Sequence, residues 1–302
     1  MARAGSRTTR ISGVWLPVIT PFVDGEIDYA SYERLVDHYV RAGISGVIPL
    51  GTTGESPTID EAETDALVER TIAAVAGRVP VLVGVGGNNT RKAVKAVCHL
   101  DRAGVDGFLS VCPYYNRPSQ DGMREHFTRL AEVTDRPILI YNIPYRTGVN
   151  LANDTLLALA ELPNIAGVKD STGNLGQSLE LLRQRPDGFA VLTGEDAYFY
   201  TMLAHGGDGG ILASAHLETA DFLTVYQRMA ANDHHGAHAV WSRREPLVPL
   251  LFREPNPMPI KRCLWRQGLI RSAECRLPLT RVSEALGLEL DRMVGAGASA
   301  AA

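Results

Sequence analysis

The chain has 302 residues, 45% of them hydrophobic and 21% charged, which is typical of one large globular α/β domain with an extension. Its formal net charge of -4 excludes the strongly basic surface of a nucleic-acid-binding or polybasic membrane-binding protein. The four cysteines have no Cys-x-x-Cys spacing, and no apolar signal-peptide segment follows the Arg-rich residues Met1 to Arg10, so the sequence predicts a cytoplasmic protein without disulfides.

Apolar runs alternate with helical patterns over the first 234 residues. The runs lack the polar alternation of half-exposed strands, which indicates that both strand faces are buried in a parallel sheet. The predicted strands are Trp15–Phe22, Gly46–Leu50, Pro80–Val85, Gly107–Val111, Pro137–Asn142, Ile165–Asp170, Phe189–Thr193 and Gly210–Ala213. The helical patterns begin at about Asp28, Asp60, Thr90, Asp121, Asn153, Leu175, Asp196 and Thr219. Eight strand–helix units in this length predict a closed (β/α)₈ TIM barrel, not an open doubly wound sheet.

The pattern changes after about residue 235, where three proline-punctuated helical segments follow one another. We predict helices over Gly236–Phe252, Pro259–Gln267 and Thr280–Met293. The sequence thus divides into a barrel over residues 1–234, which carries the active site, and a C-terminal helical extension over residues 235–302. The small residues from Gly295 onward predict a frayed tail.

The predicted strand ends collect hydroxyl, amine and guanidinium groups. The active site of such a barrel lies at the carboxyl ends of its strands. The residues found there are Thr52, Thr53, Gly86, Gly87, Asn88, Tyr114, Tyr115, Tyr141, Asn142, Arg146, Lys169, Gly194 and Glu195. No group of histidines and carboxylates with metal-ligand spacing accompanies them, so this set favours carbonyl chemistry without a metal.

Lys169 is the most informative of these residues. The chain has only four lysines, and this one ends the apolar strand Ile165–Asp170. A lysine at a strand end can simply reach solvent, but a desolvated amine can also attack a carbonyl carbon. Its position at the catalytic end of the sixth strand favours the role of a nucleophile over that of a lysine that simply reaches solvent.

Two glycine clusters and one histidine cluster invite other interpretations. Gly84-x-Gly86-Gly87 and Gly51-x-x-Gly54 match neither nucleotide-binding motif, and they fit close backbone approach to a small anion better. His234-His235-x-x-His238 resembles a metal motif, but it lies in a polar stretch far from the strand ends, which favours a solvated loop. Glu55 and Asp170 could transfer protons, although helix capping or local pairing is the favoured role.

Five segments carry a resemblance to a known family. They are Gly51-Thr52-Thr53-Gly54-Glu55-Ser56, Pro113-Tyr114-Tyr115-Asn116-Arg117-Pro118-Ser119-Gln120, Tyr141-Asn142-x-Pro-x-Arg146-Thr147-Gly148, Gly167-Val168-Lys169-Asp170 and Glu254-Pro255-Asn256-Pro257. Over roughly residues 11 to 295 the chain resembles the dihydrodipicolinate synthases, which belong to the class I aldolase superfamily shared with N-acetylneuraminate lyase. The lysine strand alone identifies only the superfamily, whereas the threonine, tyrosine and arginine segments single out the synthases.

The resemblance implies a reaction and a set of catalytic residues. Lys169 would form a Schiff base with pyruvate, and the derived enamine would attack aspartate 4-semialdehyde, whose amine then closes the ring and expels the lysine. Thr52, Tyr115 and Tyr141 would relay protons. In the family, the tyrosine that matches Tyr115 comes from a neighbouring subunit, so the resemblance implies a homo-oligomer, at least a dimer and by preference a tetramer.

The resemblance also implies the substrate-binding residues. Thr53 would hold the pyruvate carboxylate, and Arg146 would hold the carboxylate of the semialdehyde through its forked guanidinium. Backbone carbonyls near Gly194 and Ile211 would complete the pocket. No cofactor is implied.

This sequence departs from the family at four positions. His216 stands where many members have asparagine. Lys92, Thr64 and Glu61 differ from the residues of the regulatory pocket in lysine-inhibited members. Because Lys92 places a positive charge where the effector's ammonium group would bind, we expect weak or no feedback inhibition by lysine.

Two alternatives remain open at this point. Another pyruvate-dependent aldolase or lyase, such as one that cleaves a 4-hydroxy-2-oxo acid, would use the same lysine, because acceptor choice depends on a few pocket contacts. A non-catalytic protein that binds small acids is the second alternative, and the lysine together with three hydroxyl groups argues against it.

Overall fold

The computed structural model describes residues 11–298, and eight parallel strands form its centre. These strands are Gly13–Leu16 (β1), Gly46–Val47 (β2), Leu82–Gly86 (β3), Gly107–Val111 (β4), Ile138–Asn142 (β5), Ile165–Asp170 (β6), Ala190–Thr193 (β7) and Gly209–Ile211 (β8). Strand β1 pairs with both β2 and β8, and a bridge between Val47 and Val81 joins β2 to the start of β3. The sheet therefore closes on itself, which confirms the predicted TIM barrel.

Helices follow the strands and cover the outside of the barrel. They are Tyr29–Ala42 (α1), Glu61–Val75 (α2), Thr90–Asp101 (α3), Gln120–Ala131 (α4), Asn153–Leu159 (α5), Leu175–Gln184 (α6), Phe199–Ala204 (α7) and Thr219–Ala230 (α8), with a short helix at Pro144–Thr147. Side chains that accept from the first-turn amides start several of them, as Asp60 does for α2 and Asn89 for α3. Gly43 ends α1 with a left-handed φ of 96°.

Two predicted strands are too long, and proline is the physical reason in both. In the run Trp15–Phe22 the regular strand ends at Leu16, although the amide of Val18 still donates to the carbonyl of Ile48 at 3.1 Å. Phe22 belongs to a small antiparallel hairpin, where it faces Ile27. Pro17 and Pro21 lie between these segments and have no N–H for a continuous ladder. In the run Gly46–Leu50 the regular strand ends at Val47, since Pro49 follows and Leu50 has a left-handed φ of 58°.

Two predicted helices also begin differently in the structure, and the predicted helix Gly236–Phe252 is divided into His234–Arg244 and Leu247–Leu251. The segment Asp196–Ala204 begins as a 3₁₀ turn over Asp196–Tyr198 and becomes α-helical at Phe199. The helix predicted from Thr280 begins at Glu284, because the hydroxyl of Ser283 accepts from the amide of Leu286 and starts the helix there.

The C-terminal extension packs on the barrel through helices His234–Arg244 (α9), Leu247–Leu251 (α10), Met258–Arg266 (α11) and Glu284–Ala298 (α12). The Trp241 ring lies 6.2 Å from that of Phe199 and 5.8 Å from that of Phe222. The expected solvated loop at His234 is wrong, because this residue begins α9 and Asp233 caps the helix. Of the expected frayed tail, residues Gly295 to Ala298 lie in helix α12, and residues 299–302 lie outside the described part of the chain, so the fraying stays a prediction.

Within residues 11–298, no helix is both long enough and apolar enough to span a membrane. The Arg-rich residues Met1 to Arg10 lie outside the described residues.

Candidate active site

Lys169 lies inside the barrel at the carboxyl end of β6, with only 6% of the residue exposed. Its register partner on β5 is Tyr141, and the Nζ atom lies 4.2 Å from the centroid of that ring. Gly194, which follows β7, packs against the lysine so closely that an added Cβ would meet Lys169 Cε at 2.5 Å. The strand register and this glycine therefore confine the amine to the interior end of the barrel.

The burial of Lys169 favours the neutral form of its amine. Burial lowers the pKa of the Lys169 amine to about 8; Asp196 and Glu195 raise it, and Arg146 lowers it further. Within residues 11–298, no carboxylate oxygen lies within ion-pairing distance of this amine, although buried lysines usually have such a partner. A larger fraction of the amine is therefore unprotonated near neutral pH than for an ordinary lysine, and this is the form that attacks a carbonyl.

Tyr141 and Thr52 are brought together by the fold, as predicted. Burial raises the pKa of the Tyr141 phenol to about 12, while the nearby hydroxyl groups of Ser171 and Thr52 oppose the shift. The phenol is therefore protonated at neutral pH, and Thr52 lines the same cavity wall. Such a pair can pass a proton between the amine and a bound substrate.

Thr53 is buried beside Thr52, and its position depends on the C-terminal extension. The side-chain amide of Asn256 donates to Thr53 Oγ1 at 2.9 Å. Because this oxygen already accepts a hydrogen bond, the hydroxyl proton of Thr53 is left to donate to an anion. Asn256 belongs to one of the segments that carried the family resemblance, but its role in orienting Thr53 was not predicted.

A buried ion pair anchors the same loop. Glu55 has a left-handed φ of 56°, and its carboxylate contacts the amine of Lys261, a fully buried residue of α11. The amide of Arg276 donates to the other carboxylate oxygen of Glu55 at 3.0 Å. The prediction that Glu55 pairs locally is therefore wrong, because its partners Lys261 and Arg276 belong to the C-terminal extension, far from Glu55 in the sequence.

Asp170 does pair locally, as favoured. The amide of Thr172 donates to Asp170 Oδ1 at 2.9 Å, and the hydroxyl of Ser178 donates to Oδ2. These bonds fix the turn that follows Lys169 and occupy both carboxylate oxygens.

Arg146 lines a cavity of about 320 Å³ next to the loop that carries Thr52 and Glu55. Thr52, Tyr114, Ile143 and Asn256 also line it. The guanidinium of Arg146 is exposed, so it can meet an incoming carboxylate. Gly194 and Ile211 lie at the ends of β7 and β8, where their carbonyl groups reach the same end of the barrel as Lys169.

Tyr115 is not brought to the other predicted residues within the chain. Its residue is 87% exposed and has a left-handed φ of 72°, while the neighbouring Tyr114 lines the cavity. An exposed aromatic side chain held in an unusual backbone conformation is typical of a residue that acts on another surface.

Glu195 and Asp196 are acidic neighbours of Lys169 to which sequence reasoning gave no role. Asp196 is buried and accepts from the amide of Ser214 at 2.6 Å. Glu195 Oε1 is buried without a hydrogen-bond partner among the described residues. Burial, followed by the charge of Asp196, raises the pKa of the Glu195 carboxyl to about 7. Their place directly after the seventh strand was the available signal.

His216, the departure after the last strand, has a structural role. The amide of Ile19 donates to its Nε2 at 3.3 Å, and its Nδ1 lies 2.8 Å from the carbonyl of Ala213. Burial lowers the pKa of His216 to about 4, so the ring is neutral and ties the segment after β1 to the segment after β8.

The histidines of α9 do not form a metal site in the structure. His238 packs edge-on against Tyr200 with ring centroids 5.4 Å apart. Within residues 11–298, no three metal-ligating side chains come together.

Comparisons with known proteins agree on one family. The model of the dihydrodipicolinate synthetase family matches residues 10–296. A 4-hydroxy-tetrahydrodipicolinate synthase from Clostridium acetobutylicum is 50% identical over 285 residues, which cover 94% of this chain and 100% of that protein.

Solved structures give the same result. The dihydrodipicolinate synthase of Aquifex aeolicus matches with a TM-score of 0.93 and 36% identity, over 95% of this chain and 98% of that one. The chloride-inhibited synthase of Acinetobacter baumannii in complex with pyruvate matches with a TM-score of 0.92 and 34% identity, over 96% of this chain and 99% of that one.

Proposed function

Because this chain belongs to the dihydrodipicolinate synthetase family, we propose that Lys169 is the residue through which it condenses pyruvate with aspartate 4-semialdehyde. The product is 4-hydroxy-tetrahydrodipicolinate, an intermediate of lysine and diaminopimelate biosynthesis. The observation that carries the assignment is a buried lysine without a carboxylate contact, whose amine has a pKa lowered to about 8.

The first half of the reaction uses Lys169, Tyr141 and Thr53. The neutral amine attacks the keto carbon of pyruvate, and water leaves to give a protonated imine. The hydroxyl of Thr53, oriented by Asn256, binds the pyruvate carboxylate. The imine withdraws electrons from the methyl carbon, which loses a proton and becomes the nucleophilic carbon of an enamine.

The second half joins the enamine to the aldehyde. Arg146 binds the carboxylate of the semialdehyde in the cavity that it lines. Tyr141 and Thr52 supply the proton that the aldehyde oxygen takes up when the carbon–carbon bond forms. The carbonyl groups of Gly194 and Ile211 accept hydrogen bonds from the bound intermediate.

Tyr115 completes the proton relay from a neighbouring subunit. Its high exposure within its own chain supports this role, because an exposed side chain is free to contact a neighbouring subunit. The active form is therefore a homo-oligomer, at least a dimer and by preference a tetramer. A cytoplasmic location accords with the four free cysteines.

Imine trapping and product formation test the proposal separately. Incubation with pyruvate and borohydride, followed by peptide mass analysis, should give a reduced adduct on Lys169. The purified protein should then turn over aspartate 4-semialdehyde in preference to cleaving a 4-hydroxy-2-oxo acid. An adduct at another lysine, or turnover of the hydroxy-oxo acid alone, contradicts the assignment.

A further inference from the structure

Glu195 is a partly buried acidic group near Lys169 that the mechanism above leaves without a role. It directly follows Gly194, whose backbone packs on the lysine side chain. Its Oε1 atom is buried and has no hydrogen-bond partner within residues 11–298. The charged and titratable groups that act on it, or on which it acts, are Asp196, Lys169, Asp170, Arg146, Tyr141 and Tyr145.

The other two carboxylates of this cluster are already used by the fold. Asp196 accepts from the amide of Ser214, and Asp170 accepts from Thr172 and Ser178. A buried oxygen without a hydrogen-bond partner in a reaction site can receive a donor from a bound substrate. Among these acids, Glu195 Oε1 is the oxygen that has no partner within the described residues.

We propose that Glu195 binds the α-ammonium group of aspartate 4-semialdehyde and accepts the proton that this group must lose before ring closure. The inference rests on the proposed function, because only an acceptor with an α-amino group needs such a residue. Arg146 and Glu195 carry opposite charges close to Lys169, which match the carboxylate and ammonium groups on one carbon of the substrate. This pair of contacts turns the aldehyde end toward the enamine.

The chemical step can be written so that every proton is counted. One proton passes from the ammonium to the Glu195 carboxylate, and the nitrogen lone pair adds to the carbon of the protonated Lys169 imine. The two remaining protons of that nitrogen move to Nζ as the bond between carbon and Nζ breaks. Lys169 leaves as an ammonium group, the ring keeps a neutral carbon–nitrogen double bond, and Glu195 releases its proton to water.

The acidity of Glu195 suits this task. Burial and the charge of Asp196 raise the pKa of its carboxyl to about 7, while Lys169 and Arg146 lower it. A proton acceptor is most effective when its pKa lies near the working pH. The carboxylate form holds the ammonium group, and the acid form is still accessible when the proton is transferred.

The test compares Glu195→Gln with wild type on two aldehydes at saturating pyruvate. Aspartate 4-semialdehyde has the α-amino group, and succinate semialdehyde is the same chain without it. We expect kcat/KM for the amino substrate to fall by ~10²-fold or more, the range for loss of a proton acceptor, while carbon–carbon bond formation with succinate semialdehyde is unchanged. Glu195→Asp should recover part of the loss.

The pH profile gives a second readout. With pyruvate saturating, Lys169 is held in the imine, so kcat/KM for aspartate 4-semialdehyde should rise with pH through about 7 as Glu195 ionises. This rise should be missing in Glu195→Gln. Glu218→Gln is the matched control, because burial also raises the pKa of Glu218, whose charged neighbours are Arg244 and Asp221. The control should keep the wild-type profile.

Equal losses with both aldehydes, unchanged kinetics with the amino substrate, or failure of Glu195→Gln to form the borohydride-trapped imine would each overturn the inference. If the wild type itself does not turn over aspartate 4-semialdehyde, the proposed function fails first, and this outcome is seen before any variant is made.

Discussion

Two of the four lysines of this chain are buried, and they differ in their partners. Lys169 is 6% exposed and Lys261 is 0% exposed, and the Nζ atom of each lies 4.2 Å from an aromatic centroid, Tyr141 or Phe22. Lys261 contacts the carboxylate of Glu55 and donates to the carbonyl of Glu274 at 2.8 Å. Lys169 has acids nearby but no ion pair within the described chain. Burial and an aromatic ring are therefore common to both lysines, and the lack of a contacting counter-charge within the described chain distinguishes Lys169.

Replacement of Lys169 should have the largest effect. Lys169→Arg keeps the positive charge but has no amine that can form an imine, so we expect loss of activity by at least ~10³-fold, as for other essential nucleophiles. Borohydride trapping with pyruvate should disappear. Lys95→Arg changes an exposed lysine and is the control. Trapping that persists in Lys169→Arg would show that another residue reacts.

Replacement of Lys261 should act on stability, not on chemistry. Lys261→Met leaves the Glu55 carboxylate buried without its partner, which typically costs about 3–5 kcal/mol of unfolding free energy. Denaturant unfolding should show this loss, while the folded fraction still forms the pyruvate imine. The double variant Lys261→Met with Glu55→Gln should recover part of the stability. A full loss of imine trapping in folded Lys261→Met would erase the distinction between the two lysines.

The pH dependence of pyruvate capture sharpens the comparison further. The pKa of Lys169 is lowered to about 8, and its neutral form reacts, so kcat/KM for pyruvate should increase with pH until it levels off above about 8. An ordinary lysine would continue to gain reactivity toward pH ~10.4. Initial rates at subsaturating pyruvate measure this limb, and a plateau displaced to that higher pH would contradict the lowered pKa.

Lys92 extends the comparison to a lysine whose side chain is exposed on the surface. Lys92, Thr64 and Glu61 differ from the residues that form the regulatory pocket in lysine-inhibited members of the family. Added lysine should therefore leave the rate nearly unchanged. Inhibition by submillimolar lysine would refute this expectation. Lys92→Glu tests its cause, since removal of the positive charge should increase whatever sensitivity exists.

The sequence predicted features that depend on local order and missed those that depend on distant contacts. The apolar run Ile165–Asp170 and the count of eight strands were sufficient to place Lys169 at the catalytic end of a barrel. Nothing local in the sequence shows that Lys261 meets Glu55, because the two lie in different parts of the fold. The predicted lengths of β1 and β2 are too great, because the apolar runs continue past the prolines at which the regular strands end.

The unpaired oxygen of Glu195 could not be inferred either. Its position after the seventh strand was visible, but whether a carboxylate is satisfied depends on every surrounding donor. Asp170 and Asp196 also stand at or just after a strand end, and both accept hydrogen bonds, so residue type and position alone do not separate them from Glu195.

The contacts between the threonine loop and the extension also bear on how the chain matures during synthesis. Thr53 and Glu55 leave the ribosome roughly 200 residues before their partners Asn256 and Lys261. Domains generally fold as units as the chain emerges. The growing barrel can thus begin to bury its core before the Thr53 hydroxyl is oriented, and the threonine loop reaches its final arrangement only after the segment with Asn256 and Lys261 has been made.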